Sequence, residues 1–300
     1  MKKTILYLTS IFLAISAFAQ DGEKVTLGIT KIEATPSLIT KMTQDGRKQT
    51  LDRVKESMDA NLTSAIQATR KFELVSRSDM DAISKEIEFG ESGNVAIDKN
   101  TAQSGKLKGA KYILVVSIDD FQDYIEKAQF ASLGKTAEKR VLRFGAVAKL
   151  IDSSTGSIKE ATNFTISNTD ISDQSMSISA SGNLNDSLIG EIARLMSNKI
   201  AVRVADTVFP IKIMAKTGSA VTLNRGDGAG LNIGDEYEIF ALGEALIDPD
   251  TGEDLGSEEI CVGKMKITRI NPKISQGTVT EDNGVAKGQI VRAMPKAEEE

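Results

Sequence analysis

Three carboxylates near the middle of the chain could supply the acid and the base of a hydrolase. Asp119 and Asp120 follow an apolar run, and Asp123 comes three residues later. Two carboxyl groups with different pKa values can give and take the proton of a hydrolytic reaction. The sequence contains no histidine, which excludes the triads that depend on an imidazole. The three residues lie where a predicted strand enters a charged segment, which favours a solvated strand end over a catalytic dyad.

A second acidic group has the residue types of a calcium-binding loop: Asp248, Asp250, Asp254 and Glu259. An EF-hand loop requires glycine at its sixth position and a helix on either side. Counting from Asp248, the sixth residue is Glu253, and both flanks are predicted strands. The spacing therefore favours a β-turn, and no metal, cofactor-binding or catalytic residue is assigned anywhere in the chain.

The glycine-rich run 226–230 resembles a loop that cradles phosphate groups. Such loops bind anions because a helix N-terminus follows them, whereas here Gly234 and Asp235 begin a predicted strand. The glycines are therefore interpreted as barrel turns. The overlapping tripeptide Arg225-Gly226-Asp227 matches an adhesion sequence, but three residues in a predicted turn carry little information.

The single cysteine, Cys261, excludes an intramolecular disulfide. A reactive nucleophile and a bond to another chain are the functional alternatives. Alternation along the surrounding strand places Cys261, Met265 and Ile267 on one face and Lys264 and Lys266 on the other. The pattern predicts that Cys261 is a small buried hydrophobic residue.

The first residues have the pattern of a signal peptide. A basic start, Lys2-Lys3, precedes a mostly apolar run over residues 5–17, and Ala17-Phe18-Ala19 has the small-x-small form of a cleavage site. We expect a signal peptide over residues 1–19 and a mature protein that begins at Gln20 in the periplasm. No cysteine lies near the cleavage site, so no lipid attachment is expected.

Composition narrows the class of protein. The 300 residues suffice for two domains, and 40% hydrophobic and 26% charged residues are ordinary for a globular chain. The net charge of −5 argues against nucleic acid as a partner. No apolar run after the signal peptide is long enough for a transmembrane helix.

Hydrophobic periodicity predicts alternating strands and helices up to Phe209-Pro210. An apolar stripe with spacings of three and four predicts a helix that packs on a sheet, in preference to a partner-binding face. Its residues are Leu51, Val54, Met58, Leu62 and Ile66. A second helical stripe comprises Leu188, Ile192, Leu195, Ile200 and Val204. Strands are predicted at 25–32, 72–75, 112–118 and 142–150 paired with 158–166, helices from Ser78 and over 98–106, a polar loop around Pro36 and Gly46, and a mobile stretch over 168–185.

After Pro210 the pattern changes to short strands separated by turn residues. The strands are predicted at Ile211–Ala215, Ala220–Leu223, Glu236–Phe240, Ile260–Ile270, Ser275–Val279 and Gln289–Arg292. This spacing predicts a small β-barrel.

Residues 24–205 resemble the CsgG family of curli secretion channels. The matching stretches are Lys71-Phe72-Glu73-Leu74-Val75-Ser76-Arg77-Ser78-Asp79, Gly105-Lys106-Leu107-Lys108-Gly109-Ala110-Lys111-Tyr112-Ile113-Leu114, and Ala148-Lys149-Leu150-Ile151-Asp152 with Thr155-Gly156. Each stretch is short, but their order and spacing are specific together.

Residues 211–294 resemble the C-terminal domain of the flagellar assembly protein FlgT. The signature is Gly230-Leu231-Asn232-Ile233-Gly234-Asp235, followed by Asp248-Pro249-Asp250-Thr251-Gly252-Glu253-Asp254-Leu255-Gly256. The two resemblances imply an α+β fold, with a mixed sheet and packed helices over 24–205 and a small SH3-like barrel over 211–294. An acidic tail, 295–300, follows.

The resemblance also implies a place at the periplasmic side of the outer membrane, either as an oligomeric secretion pore or as a soluble accessory. A pore would need membrane-spanning hairpins, which the resemblance places at Gln122–Arg140 and Ser167–Leu184. A lipid-facing strand needs an apolar row of about 9–11 residues. In the first segment the neighbours Glu126 and Lys127 point to opposite faces, so neither face is apolar. The second segment is rich in serine and carries two aspartates.

These observations favour a non-enzymatic periplasmic interaction and assembly protein of the bacterial envelope. The family's pore constriction is not recognisable between Glu33 and Gln49, and the lipid-anchor cysteine is missing. The expected partners are envelope or secretion-assembly proteins, with a homo-oligomer as one form of assembly. The two hairpin segments are expected to be solvated loops or extensions of the sheet where a partner docks. The alternatives are an outer-membrane secretion pore of the curli type and, less favoured, a carboxylate-based hydrolase.

Overall fold

The computed structural model describes residues 24–76, 79–91, 108–130, 135–172, 186–250, 252 and 254–294. Five sequence predictions lie outside the described residues: the signal peptide 1–19, the helix cap at Ser78, the helix over 98–106, most of the stretch 168–185, and the acidic tail 295–300. No helix in the described ranges is both long and apolar enough to cross a bilayer.

The first half of the chain forms a six-stranded mixed sheet. Its strands are β1 (Val25–Ile29), β2 (Glu33–Ala34), β3 (Phe72–Ser76), β4 (Tyr112–Phe130), β5 (Lys135–Asp152) and β6 (Ile158–Ser167). The order across the sheet is β3-β1-β4-β5-β6, and the short β2 also pairs with β4. Strand β1 is parallel to β3 and β4, whereas β4, β5 and β6 are antiparallel. The predicted mixed sheet is confirmed.

Helices pack with this sheet around one core. They are α1 (Pro36–Gln44), α2 (Lys48–Ala68), α3 (Met80–Glu91), α4 (Asn168–Ser172) and α5 (Asp186–Val208). The predicted stripe of α2 is buried, each of its five side chains being at most 1% exposed, and α2 lies beside α5. In α5 the predicted core residue Leu195 is only half-buried, and its neighbour Met196 takes the core position.

The polar loop expected around Pro36 and Gly46 is wrong, because most of it forms α1. Pro36 stands at the start of the helix, where its missing N–H has no intrahelical partner to lose. Leu38 and Met42, four residues apart, are buried at 4% and 0% exposure. A helix of nine residues offers only three such apolar residues, Leu38, Ile39 and Met42, which is too short a pattern for periodicity to detect.

The second half of the chain forms a closed barrel of six antiparallel strands. They are β7 (Ile211–Thr217), β8 (Ala220–Leu223), β9 (Glu236–Ile247), β10 (Asp254–Ile270), β11 (Ser275–Asp282) and β12 (Ile290–Ala293). Around the barrel the order is β10-β11-β8-β7-β12-β9. The predicted small barrel is confirmed, although β9 and β10 extend further than their alternation indicates.

The prediction for Cys261 is wrong, because its side chain is exposed while Met265 and Ile267 are buried. The pairing of β10 with β9 shifts register between Cys261 and Gly263. An extra residue in a strand reverses the facing of all residues on its far side. Gly263 permits this bulge, since a Cβ there would lie 2.2 Å from the Glu281 carbonyl oxygen.

The acidic run after β9 is the turn that the sequence predicts. The Asp248 carboxylate accepts a 2.8 Å hydrogen bond from the Asp250 N–H, and the Asp248 carbonyl accepts one of 2.8 Å from Gly252. Gly252 has a φ of +70°, which a glycine adopts without strain. Among the described residues, no three acidic or cysteine side chains are grouped as a metal site would require.

The glycine-rich run 226–230 is a barrel turn that also packs against the first half of the chain. A Cβ on Gly230 would lie 2.6 Å from a methyl group of Val202 in α5. A Cβ on Gly228 would lie 3.0 Å from the Cβ of Ala68, at the end of α2. The glycines therefore allow a close approach between the barrel and the two long helices, which their turn chemistry alone does not indicate.

Arg225 joins the two halves from a buried position. It is 1% exposed, forms an ion pair with Asp206 of α5, and donates a 2.6 Å hydrogen bond to the Phe209 carbonyl. Nearby, the Lys71 ammonium donates to the Asn224 carbonyl at 2.8 Å. Burial of Arg225 excludes the adhesion interpretation of the tripeptide, since a receptor could not reach the guanidinium.

We predict that a fragment of residues 211–294 folds alone. The described barrel has its own hydrophobic core, separate from that of the sheet and helices. In the fragment, water would solvate Arg225 in place of Asp206. Circular dichroism should show a β-type spectrum and one cooperative thermal transition. A fragment that stays disordered, while the full chain folds, would mean that the barrel depends on its junction with α5.

Candidate functional site

Strands β4 and β5 continue together beyond the point where the rest of the sheet ends. The pairing of β2 with β4 ends at Ile118, and that of β6 with β5 ends at Arg143. Further out, among the described strands, β4 and β5 pair only with each other. This ribbon, residues 123–130 and 135–142, is called the hairpin here. At about 3.3 Å per residue it is about 25 Å long.

The base of the hairpin is fixed by aromatic packing on the face that points to the core. Phe121 and Phe144 lie directly opposite each other in register. Their rings meet edge to face, with centroids 5.6 Å apart and planes at 90°. Both side chains are at most 1% exposed. Because alternate residues share a face, Asp123 follows Phe121 on this inner face.

The Asp123 carboxylate binds two arginines next to this aromatic pair. It accepts hydrogen bonds of 2.5 and 2.8 Å from Arg140 and one of 3.2 Å from Arg47. Arg47 also donates to the Asp123 carbonyl at 3.3 Å and lies over the Phe121 ring, 5.4 Å from its centre. We call Arg47, Asp123 and Arg140 the base cluster. The Asp123 and Arg140 side chains are only 10% and 5% exposed.

Burial makes the base cluster interdependent. The hydrogen bond to Asp123 raises the pKa of Arg140 above its ordinary value, so the buried guanidinium keeps its charge. A buried ion pair stabilises a protein little more than an apolar pair of similar size would. Removing one partner, however, leaves the other charge buried and unpaired, which costs several kcal/mol. Sequence reasoning missed Arg47, which is 76 residues from Asp123 and lies in the segment interpreted as a polar loop.

Asn168, the first residue of α4, shows which way the backbone of the hairpin faces. Its side chain accepts from the Leu142 N–H at 2.6 Å and donates to the Arg140 carbonyl at 2.7 Å. These two groups of β5 therefore point away from β4. In an antiparallel ladder such outward-pointing residues lie opposite one another. Asp123, opposite Leu142, and Ile125, opposite Arg140, thus also present N–H and C=O groups outward.

The hairpin consequently has an open edge along β4. The outward carbonyl of Asp123 is bound by Arg47, but beyond it no other described strand pairs with β4. Ile125 is the next outward residue, and its side chain is 36% exposed. An edge of this kind offers the hydrogen-bonding groups that an added strand needs.

Charges near the tip of the hairpin are matched across the ladder. Glu126 lies opposite Lys139, and Lys127 lies opposite Glu138. Residues directly opposite in an antiparallel pair share a face, and opposite charges there contribute roughly 0.2–1 kcal/mol. Of the two expectations for segment 122–140, a solvated loop or an extension of the sheet, its described residues form the extension.

The three aspartates of the sequence analysis do not converge. Asp120 pairs at 3.2 Å with Arg143 on the outer face of β4, opposite to the face of Asp123. Asp119 lies in a bulge, its carboxylate 2.8 Å from the position that a Cβ on Gly145 would occupy. The interpretation as a solvated strand end suits Asp120 but is wrong for Asp123, since the register of β4 with β5 buries that carboxylate beside Arg140.

We predict that Asp123→Asn destabilises the full chain by about 3 kcal/mol, because Arg140 stays buried without its carboxylate. The matched control is Asp120→Asn, which removes the same charge three residues earlier in the chain. Because Asp120 belongs to an exposed ion pair, this change should cost at most about 1 kcal/mol. Urea unfolding followed by circular dichroism measures both. Equal, small losses would show that the base cluster contributes no more than a surface ion pair.

The chain is similar to a number of solved structures at low identity, three of which follow. The hypothetical protein CT253 from Chlamydia trachomatis is 9% identical with a TM-score of 0.34, covering 62% of this chain and 98% of that one. A PelC dodecamer from Paraburkholderia phytofirmans is 11% identical with a TM-score of 0.28, covering 59% and 85%. Lipoprotein GNA1162 from Neisseria meningitidis is 16% identical with a TM-score of 0.26, covering 59% and 98%. At these values, no conclusion about function rests on them.

A match to a protein family is more decisive. Among curated proteins, none matches the sequence. The family described as curli production assembly/transport component CsgG, by contrast, matches residues 23–205, which include all of the mixed sheet and most of α5. Since this match covers more than half of the chain, the protein belongs to the CsgG family.

Proposed function

We propose that this protein is a non-enzymatic interaction and assembly protein of the bacterial cell envelope that holds its partner through the open edge of the hairpin. Its family is described by curli production assembly and transport, which supports a role in an envelope or secretion assembly. The observation that carries the proposal is the ribbon of β4 and β5, which leaves the sheet while its outer edge faces no other described strand.

The mode of binding is strand addition. An extended segment of the partner lies along β4, and main-chain hydrogen bonds at Ile125 and the next outward residues supply the affinity. The partner is an envelope or secretion-assembly protein, or a second copy of this chain. Charged residues beside the edge, such as Glu126 and Lys127, discourage unspecific pairing, which is a common protection of exposed strands.

A non-enzymatic role is supported by the way the carboxylates are held. A hydrolytic dyad needs two carboxyl groups that face one substrate. Asp120 and Asp123 point to opposite faces of β4, and each is bound by arginine. Because they face opposite sides and are each paired with an arginine, the two carboxylates cannot act together as a general acid and a general base.

A secretion pore of the curli type is the alternative, and two observations favour the accessory role over it. The matched charges at the tip of the hairpin would have to enter lipid, where a charged residue costs up to about 2–4 kcal/mol. The second segment that a pore would need, Ser167–Leu184, turns into α4 directly after the last residue of β6. There Ile171 is fully buried, and Asp170 binds the Lys199 ammonium at 2.6 Å.

We predict that Ile125→Pro weakens partner capture by about tenfold or more. Proline removes the outward N–H and places its ring in the path of an added strand, whereas the ladder with β5 does not use that N–H. Ile125→Ala, which loses the side chain but keeps the N–H, should retain capture. The measurement is cross-linking in intact cells, followed by pull-down of the tagged full-length chain and mass spectrometry.

Cross-linked peptides also distinguish an envelope partner from a second copy of the chain. Equal recovery of the same partners by Ile125→Pro and the unaltered protein would eliminate the edge as the docking site. Circular dichroism of both variants must first show an unchanged thermal midpoint, so that a loss of capture is not a loss of folding.

The pore alternative has its own test in planar bilayers. We predict that purified protein, added as a monomer or as any oligomer that it forms, gives no discrete channels. Reproducible channels that disappear when residues 122–140 are deleted would restore the secretion pore and contradict the accessory role.

A further inference from the structure

A cleft of about 380 Å³ lies at the junction between the end of α2 and the barrel, and it shares no residue with the hairpin. Its charged lining is strongly basic: Lys24, Arg70, Lys71 and Lys273, against the single carboxylate of Asp227. The excess of three positive charges occurs in a chain whose net charge is −5. Basic residues are thus concentrated in this cleft although the protein as a whole is negatively charged.

These four cations are not neutralised by the described part of the protein. None of them forms an ion pair there, although arginines and lysines elsewhere on the surface do. Asp227 offsets one of the four charges, and its carboxylate is held in the turn by a 2.9 Å hydrogen bond from the Gly228 N–H. The cleft therefore keeps a net excess of three positive charges.

Lys71 is held in place beside a like charge. Its half-buried ammonium is fixed by the Asn224 carbonyl at 2.8 Å. Burial and the neighbouring charge of Arg225 lower the pKa of Lys71. Arg225 is 1% exposed, and its Nε has no hydrogen-bond partner among the residues that the structure describes. Arg225 is itself paired with Asp206, whereas the Lys71 ammonium has no carboxylate partner in the described part of the chain and faces the cleft as an available cation.

Arg70 occupies a strained backbone position at the mouth of the same cleft. Its φ of +58° makes it the only non-glycine residue with a positive φ in the described ranges. It follows Thr69, the residue that caps the C-terminal end of α2, at the place where helices ordinarily take glycine to reach the left-handed conformation. Strain of this kind is characteristic of functional positions. An arginine kept where glycine would relieve the strain points to a use for its guanidinium.

We propose that this cleft binds an anionic ligand through a phosphate group. A guanidinium presents a planar fork that matches phosphate oxygens, and lysines supply further charge. An excess of three positive charges suits a doubly charged phosphate monoester better than a single carboxylate. The volume exceeds that of one phosphate, so the ligand carries a further group about the size of a small sugar or glycerol.

The same chemistry is found in a soluble phosphate ester and in a lipid headgroup. Two probes separate these sources: glycerol 3-phosphate in solution, and vesicles that contain phosphatidic acid, with phosphatidylcholine vesicles as the blank. Binding of the full-length protein is measured by calorimetry for the first and by co-sedimentation for the second. Saturable binding to either probe supports the site, and the stronger of the two identifies the source.

Variants test whether the cleft is responsible. Arg70→Gly should weaken binding at least tenfold while the thermal midpoint stays the same or rises, because glycine removes the backbone strain. Lys273→Gln, at an exposed side chain, should also weaken binding without affecting the fold. The matched control is Lys149→Gln, an exposed lysine of β5 outside the cleft, which should bind as the unaltered protein does.

Two outcomes would overturn the proposal. The first is that neither probe binds saturably when its phosphate groups are present at millimolar concentration. The second is binding that Arg70→Gly and Lys273→Gln leave unchanged, or that Lys149→Gln weakens equally, since this would show unspecific attraction to surface charge.

Discussion

The projecting part of this protein depends on the buried carboxylate of Asp123. A two-stranded ribbon alone is marginally stable in water, and the hairpin has no neighbouring strand in the described sheet to support it. Asp123 ties Arg140 of β5 and Arg47, just ahead of α2, to one point beside the packed rings at the base. Since such a cluster adds little net stability over an apolar one, what it supplies is a fixed direction in which the hairpin leaves the core.

The junction between the sheet and the barrel uses the same device. Arg225 is buried like Arg140, and it binds a carboxylate of α5 and the carbonyl that ends that helix. Each buried arginine thus lies where one element must keep a set orientation relative to another. At the junction the orientation also brings Arg70 and Lys71 next to the barrel loop around Asn224. The two proposed surfaces, the edge and the basic cleft, therefore both rest on a buried ion pair.

Local periodicity was sufficient to predict the α2 stripe and the six barrel strands, because these are repeated patterns within single segments, whereas the mixed sheet was implied by the family resemblance. Periodicity failed where one extra residue shifts the alternation of a strand, as at the bulge that turns Cys261 outward. It also failed where a charge finds its partner through register: nothing local links Asp123 with Arg47, or Arg225 with Asp206. Charged residues in a predicted loop or turn are expected to be solvated until the pairing of distant segments is known. For this reason most of the candidate site could not be predicted from the sequence.

The central claim is that the hairpin is a formed ribbon with an open edge in water. Residue-resolved amide hydrogen exchange of the full chain, in buffer without detergent, tests it most directly. Tyr124 and Glu126 lie opposite Val141 and Lys139 in the inward-bonded positions of the ladder, so their N–H groups should exchange slowly. The N–H of Ile125 should exchange fast. Uniformly fast exchange over these three residues would contradict the account, because the ribbon would then not exist outside an assembly or a membrane.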